Sequence, residues 1–160
     1  MKEGCIEWFG GNQDALNLFR LFVTVAHTWD DLIDRDKPVS DDAINLCFRY
    51  ALVDIPTNPA YQANLHALHP LLISAIACYR TANHYEQTND MHGLELAHTL
   101  RYAVANVFVY LITTYAGEDA ANKYLPEALK QMMNERLFVY LKEHSYQPFM
   151  AENTSKENKL

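Results

Sequence analysis

The chain has 160 residues, 49% of them apolar, with a net charge of −7. A chain of this length buries roughly 70% of its unfolded surface, enough for a core without staples, and its acidity excludes a generic nucleic-acid binder, which needs a basic surface for phosphates. The three cysteines, Cys5, Cys47 and Cys78, are odd in number and form no C-x-x-C pair, which argues against a disulfide framework or a zinc knuckle.

The first segment, Trp8-Phe9-Gly10-Gly11-Asn12, reads as an apolar lead-in and a turn. Asn12 is a suitable N-cap, and Asp14 suits the positive end of a helix dipole. A long helix is predicted from about Gln13 to Asp36, stopped by Pro38. Ser40 caps a second helix running to about Val53, before Pro56. A third stretch starts at Thr57-Asn58-Pro59 and continues to about Glu86, kinked or restarted at Pro70. A fourth helix covers about His92 to Tyr115 and stops near Gly117. Glu118 to Lys123 is expected to form a short helical turn, and Leu125 to Glu143 is the last long helix. The tail 151–160 is polar and reads as disordered. No alternating strand pattern is present. The fold class is therefore all-α: a single-domain antiparallel bundle of four to five main helices over 1–150.

The core set follows from the same pattern. Phe108, Tyr110, Tyr115, Phe138 and Tyr140 read as core aromatics, and Cys47 and Cys78 as small core residues in a reducing compartment. Met1 to Cys5 lacks the apolar stretch of a signal peptide. The apolar run Ala103 to Tyr110 is too short to span a bilayer. The expectation is a cytoplasmic protein with no membrane partner.

The first helix carries the main chemical lead. On a 3.6-residue wheel, Leu16, Phe19, Val23, His27, Asp30 and Asp34 fall within about 80° of one another. A stripe that begins apolar thus ends in His and Asp, with Asp31 on its edge. Carboxylates in the last turns oppose the helix dipole, each at a cost of about 0.3–1 kcal/mol. An arrangement against local stability is expected at functional sites, and a hard divalent cation relieves the repulsion between carboxylates. His27, Asp30, Asp31 and Asp34 are therefore candidate metal ligands. The fourth helix offers Glu95 and His98 at i and i+3, a spacing used in di-metal bundles. His66 and His69 form a second i, i+3 pair beside Pro70. Arg80, Arg101 and Arg136 are the cations expected near the core.

The string Asp30-Asp31-Leu32-Ile33-Asp34 resembles the first aspartate-rich motif, D-D-x-x-D, of trans-isoprenyl diphosphate synthases and terpene cyclases. That resemblance implies an all-α enzyme in which Asp30, Asp31 and Asp34 bind the Mg²⁺ that holds a substrate diphosphate. The layout Glu95-Leu96-Ala97-His98, then an apolar helix and Gly117-Glu118-Asp119, is similar to the all-α nucleotide pyrophosphohydrolases of the MazG and dimeric dUTPase type. His98 stands where their pattern has an acid. The chain as a whole also resembles small tailed-phage proteins, which implies a host-cytoplasmic location.

The leading expectation is a metal-dependent enzyme acting on a diphosphate or nucleoside triphosphate. In it His27, Asp30, Asp31, Asp34 and His98 hold Mg²⁺, with Mn²⁺ as an alternative and di-iron as a variant. Glu95 completes the metal shell or orients the attacking water as a base, and Arg101 neutralises phosphate. Two other classes stay open: an acidic helical protein that binds a host protein without catalysis, and a structural homo-oligomer subunit. The plain alternative for the Asp cluster is a solvated helix end with Arg35 and Lys37 as counter-ions.

Overall fold

The computed structural model describes residues 5–35, 37–88 and 90–144. The expected polar tail, 151–160, lies outside them. In chain order the elements are α1 (Cys5–Trp8), α2 (Gln13–Asp34), α3 (Asp41–Arg49), a π-helical segment (Tyr50–Asp54), α4 (Ile55–Thr57), α5 (Pro59–Ala63), α6 (Leu65–Thr88), α7 (Met91–Leu100), a 3₁₀ segment (Arg101–Val104), α8 (Ala105–Ala116) and α9 (Glu118–Met132). A further helix, α10, covers 137–144. The described residues contain no strand, so the all-α class holds. Among them no helix is long and apolar enough to cross a membrane.

Local chemistry explains several helix starts. Asn12 caps α2, its side chain accepting from the Ala15 N–H at 2.9 Å. Ser40 caps α3 through the Ala43 N–H at 3.2 Å, and Asp90 caps α7 through the Gly93 N–H at 2.8 Å. Each satisfies a donor that the first turn leaves without a partner. Prolines act less often as boundaries than the sequence predicts. Pro70 and Pro126 lie inside α6 and α9, so the last long helix begins at Glu118 rather than Leu125. The short turn expected at Glu118 to Lys123 is thus the first part of that helix. The predicted fourth helix is interrupted at Arg101–Val104 by the 3₁₀ segment.

Pro56 has a larger effect. It has no N–H to donate to the preceding turn, and the chain widens there into the π-helical segment. The Ile55 N–H reaches back to the Tyr50 carbonyl, and the Thr57 hydroxyl donates to the Val53 carbonyl at 2.7 Å.

The contacts group into two compact units. Unit 1 comprises Met1–His69 with Val107–Pro126, and unit 2 comprises Pro70–Asn106 with Glu127–Leu160. The core of unit 1 is built on Phe9, Leu18, Phe19, Leu68, Phe108, Leu111 and Ile112, all at most 2% exposed. Phe19 stands between Phe9 and Phe108, with ring centroids 5.6 and 4.3 Å away. A polar hub sits beside these rings. Asn64 accepts from the Tyr110 hydroxyl at 2.8 Å and donates to the Tyr115 hydroxyl at 3.0 Å. Gly10, at φ +58°, brings the first turn against α8: a Cβ there would lie 2.3 Å from the Tyr115 carbonyl oxygen. In unit 2 the buried cluster is Ala82, Leu94, Ala97 and Tyr140.

Three core expectations change. Phe138 is 73% exposed, because α10 turns Tyr140 inward and Phe138 outward. Cys47 and Cys78 are only half-buried, although burial still pushes the Cys47 thiol upward. Of the three arginines expected near the core, Arg80 and Arg136 are exposed and Arg101 is half-buried.

Candidate functional site

The acidic end of α2 leaves the core before it reaches its carboxylates. Leu16 and Phe19 are buried, Val23 is half-buried and His27 is exposed. The buried residues of α2 stop at Phe22. A 22-residue helix is about 33 Å long, and only its first half is covered on the predicted stripe. Asp30 and Asp31 are half-buried and Asp34 is exposed. Asp31 is paired with Lys37, Nζ to Oδ1 2.8 Å, and Asp30 and Asp34 are also engaged. Arg35 takes the left-handed cap conformation, φ 55°, and its N–H donates to the Asp31 carbonyl at 3.1 Å. The last turn has no basic residue, so the opposition to the dipole stands and Lys37 offsets it from outside the helix.

The second half of the expected site belongs to unit 2, on α7. Glu95 is exposed and faces His92, 3.7 Å away. His98 is half-buried and turns the other way. Its Nε2 lies 3.1 Å from the Glu135 carbonyl oxygen, and its ring packs on Tyr102 and Tyr140 at 5.6 and 5.1 Å. The two members of Glu-x-x-His thus serve different neighbours. His66 and His69 are exposed, and His69 packs edge-on to Tyr61 at 6.3 Å. Among the described residues, no group of three or more His, Cys, Asp or Glu could hold a metal ion.

Arg101 marks a cluster that the sequence did not single out. Its Nη1 donates to Glu86 Oε1 at 2.8 Å, with the two side chains only 16% and 11% exposed. The Tyr140 hydroxyl donates to the same oxygen at 2.5 Å. Burial and the Glu86 carboxylate together hold that hydroxyl well above the usual tyrosine range. His144 packs on the Tyr140 ring at 4.4 Å and brings its Nε2 4.0 Å from Glu86. The Arg101 guanidinium also lies over the Tyr79 ring, 5.8 Å from its centroid. A signal for Glu86 existed: Tyr79, Ala82 and Glu86 stand at i, i+3 and i+7, so an acid continues a buried stripe. This network ties α6, α10 and the 3₁₀ segment together through one carboxylate.

The least satisfied surface is in unit 1, on α3 and the π-helical segment. Neither element has a buried residue. Ala43, Ile44, Cys47 and Tyr50 are half-buried along one side, whereas Leu46, Phe48, Leu52 and Val53 are 41%, 61%, 71% and 51% exposed. Asp41 and Asp42 open the helix, and Asp54 closes the segment in an ion pair with Arg49 at 3.3 Å. A shallow open groove alongside is lined by Asn17, Arg20, Leu21, Thr24, Tyr50 and Asn58. Comparison with protein-family models, curated proteins and solved structures finds no match to this chain.

Proposed function

We propose that this chain acts by binding another protein, through the outer face of α3 and the π-helical segment. The observation that carries the reading is the solvent exposure of Leu46, Phe48, Leu52 and Val53 within a run of eight residues. Single exposed apolar side chains are ordinary, but a group of them close together on successive turns marks an interaction surface. A π-helical turn strengthens the reading, since such turns recur at functional sites. The acids at both ends and the net charge of −7 favour a partner whose apolar cleft is rimmed by basic groups. The test places a photo-crosslinking amino acid at position 48 or 52, with position 122 in α9 as an exposed control. A single adduct at 48 and 52, absent at 122 and lost on Leu46→Asp, supports the reading. An adduct with a second copy of the chain would assign the face to a homo-oligomer. Equal labelling at all three positions would refute it.

The Asp30-Asp31-x-x-Asp34 spacing carries a second reading, an Mg²⁺-dependent enzyme acting on a diphosphate or nucleoside triphosphate. Three carboxylates against the dipole in one helix end favour it. Millimolar Mg²⁺ or Mn²⁺ should then raise the melting temperature, and Asp30→Asn should abolish the shift. No shift in the unmodified chain would remove this reading.

A further inference from the structure

The strongest feature outside these two surfaces is the way α10 is held in unit 2. Across 133–144 Tyr140 is the single buried residue. Met133, Leu137, Phe138 and Val139 are all at least 39% exposed. The main anchor is the Tyr140 ring set against Ala82, Leu94 and Ala97, with half-buried Leu141 packed beside it. Its hydroxyl is fixed by one carboxylate oxygen, Glu86 Oε1, which Arg101 shares. The preceding residues, 133–136, are outside any helix and give the chain a place to turn. Elements with few buried apolar contacts open with less free energy than the unit that carries them. A side chain seated by a directional hydrogen bond in a small-residue slot is lost or kept as one event.

We infer that α10 is a latch: it opens as a separate unit, released when Glu86 lets go of Tyr140, and its opening uncovers the slot formed by Ala82, Leu94 and Ala97. The latch covers an apolar slot, so its opening would add that slot to the apolar surface of unit 2.

Hydrogen exchange read by mass spectrometry on the full chain tests this. In the unmodified protein, amides of 137–144 should exchange faster than those of α7, with little dependence on low denaturant. Glu86→Gln weakens a charge-assisted bond, which corresponds to about ten- to a hundredfold faster exchange in 137–144; Arg101 loses the same partner, so α7 also exchanges faster, but by a smaller factor. Tyr140→Phe keeps the ring in the slot and removes only the hydroxyl, and should give the same selective effect, but smaller. Exchange of 137–144 in step with α7 in the unmodified protein would overturn the latch. So would Tyr140→Phe leaving 137–144 unchanged, or speeding both segments equally.

Discussion

Removing Arg101 and Glu86 together should destabilise the protein by less than the sum of removing each alone. Both side chains are largely out of water, at 16% and 11% exposure, and their contact is 2.8 Å. Deleting one member of such a pair leaves a desolvated charge behind, at a cost of about 3–5 kcal/mol when burial is complete. The Tyr140 hydroxyl still donates to Glu86 at 2.5 Å, so the carboxylate keeps one partner, and Arg101→Met should cost about 2–4 kcal/mol. At roughly 2–4 °C per kcal/mol for a chain of this size, the melting temperature should fall by about 4–16 °C. Glu86→Gln removes the same charge attraction from the other side. In the double variant no carboxylate is left to be desolvated, so its loss should fall short of the summed single losses by more than about 1 kcal/mol. Urea unfolding followed by far-UV circular dichroism is the suitable assay. Trp8 and Trp29 both belong to unit 1, so tryptophan fluorescence does not report on the mutated unit directly. Additive single losses, or a loss below about 0.5 kcal/mol for Arg101→Met, which is the range of ordinary surface changes, would refute the reasoning.

Three further outcomes follow from the same contacts. Gly10→Ala should destabilise by about 2 kcal/mol or more in thermal melts, since the left-handed conformation alone costs roughly 1–2 kcal/mol for a side chain and the new Cβ meets the Tyr115 carbonyl; unchanged stability would disprove the close approach. Asn64→Ala should cost about 2–4 kcal/mol in urea unfolding, because the Tyr110 and Tyr115 hydroxyls lose their shared partner in a site where Asn64 is 7% exposed. Alkaline pH should lower stability. The Tyr140 hydroxyl is raised above its ordinary value of 10.0, so the unfolded chain releases that proton first and gains as pH rises past 10. Burial raises Tyr61 and Tyr115 in the same direction. Tyr140→Phe should therefore flatten, not abolish, the fall in melting temperature measured above pH 10.

The all-α class and several helix starts were legible because they are local matters. Asn12 and Ser40 cap through hydrogen bonds three residues away, so the sequence around each holds all the necessary information. Pro56 is a partial case: its missing N–H predicts a break, and the Thr57 hydroxyl converts the break into a wider turn. The acidic helix end was also legible as a spacing, because i, i+1 and i+4 need only a helix.

Burial was a different matter, because it depends on what a residue meets elsewhere in the chain. The α2 wheel correctly grouped Leu16 and Phe19 with the core but carried the line on to His27, which is exposed. Periodicity gives the face of a helix, and only the neighbours decide how far along that face the cover extends. Glu86 shows the converse. Nothing within four residues explains a carboxylate on a buried stripe; its partners, Arg101 and Tyr140, are 15 and 54 residues away. Likewise Phe138 and Tyr140 are equivalent as aromatic residues in a helix, and the slot at Ala82, Leu94 and Ala97 takes one and leaves the other in water. The sequence by itself determined the all-α class and the caps at Asn12 and Ser40, since those rest on neighbours along the chain. The tertiary structure alone decided which acid is paired inside and which apolar face is left to solvent, since both rest on contacts the chain makes with distant parts of itself.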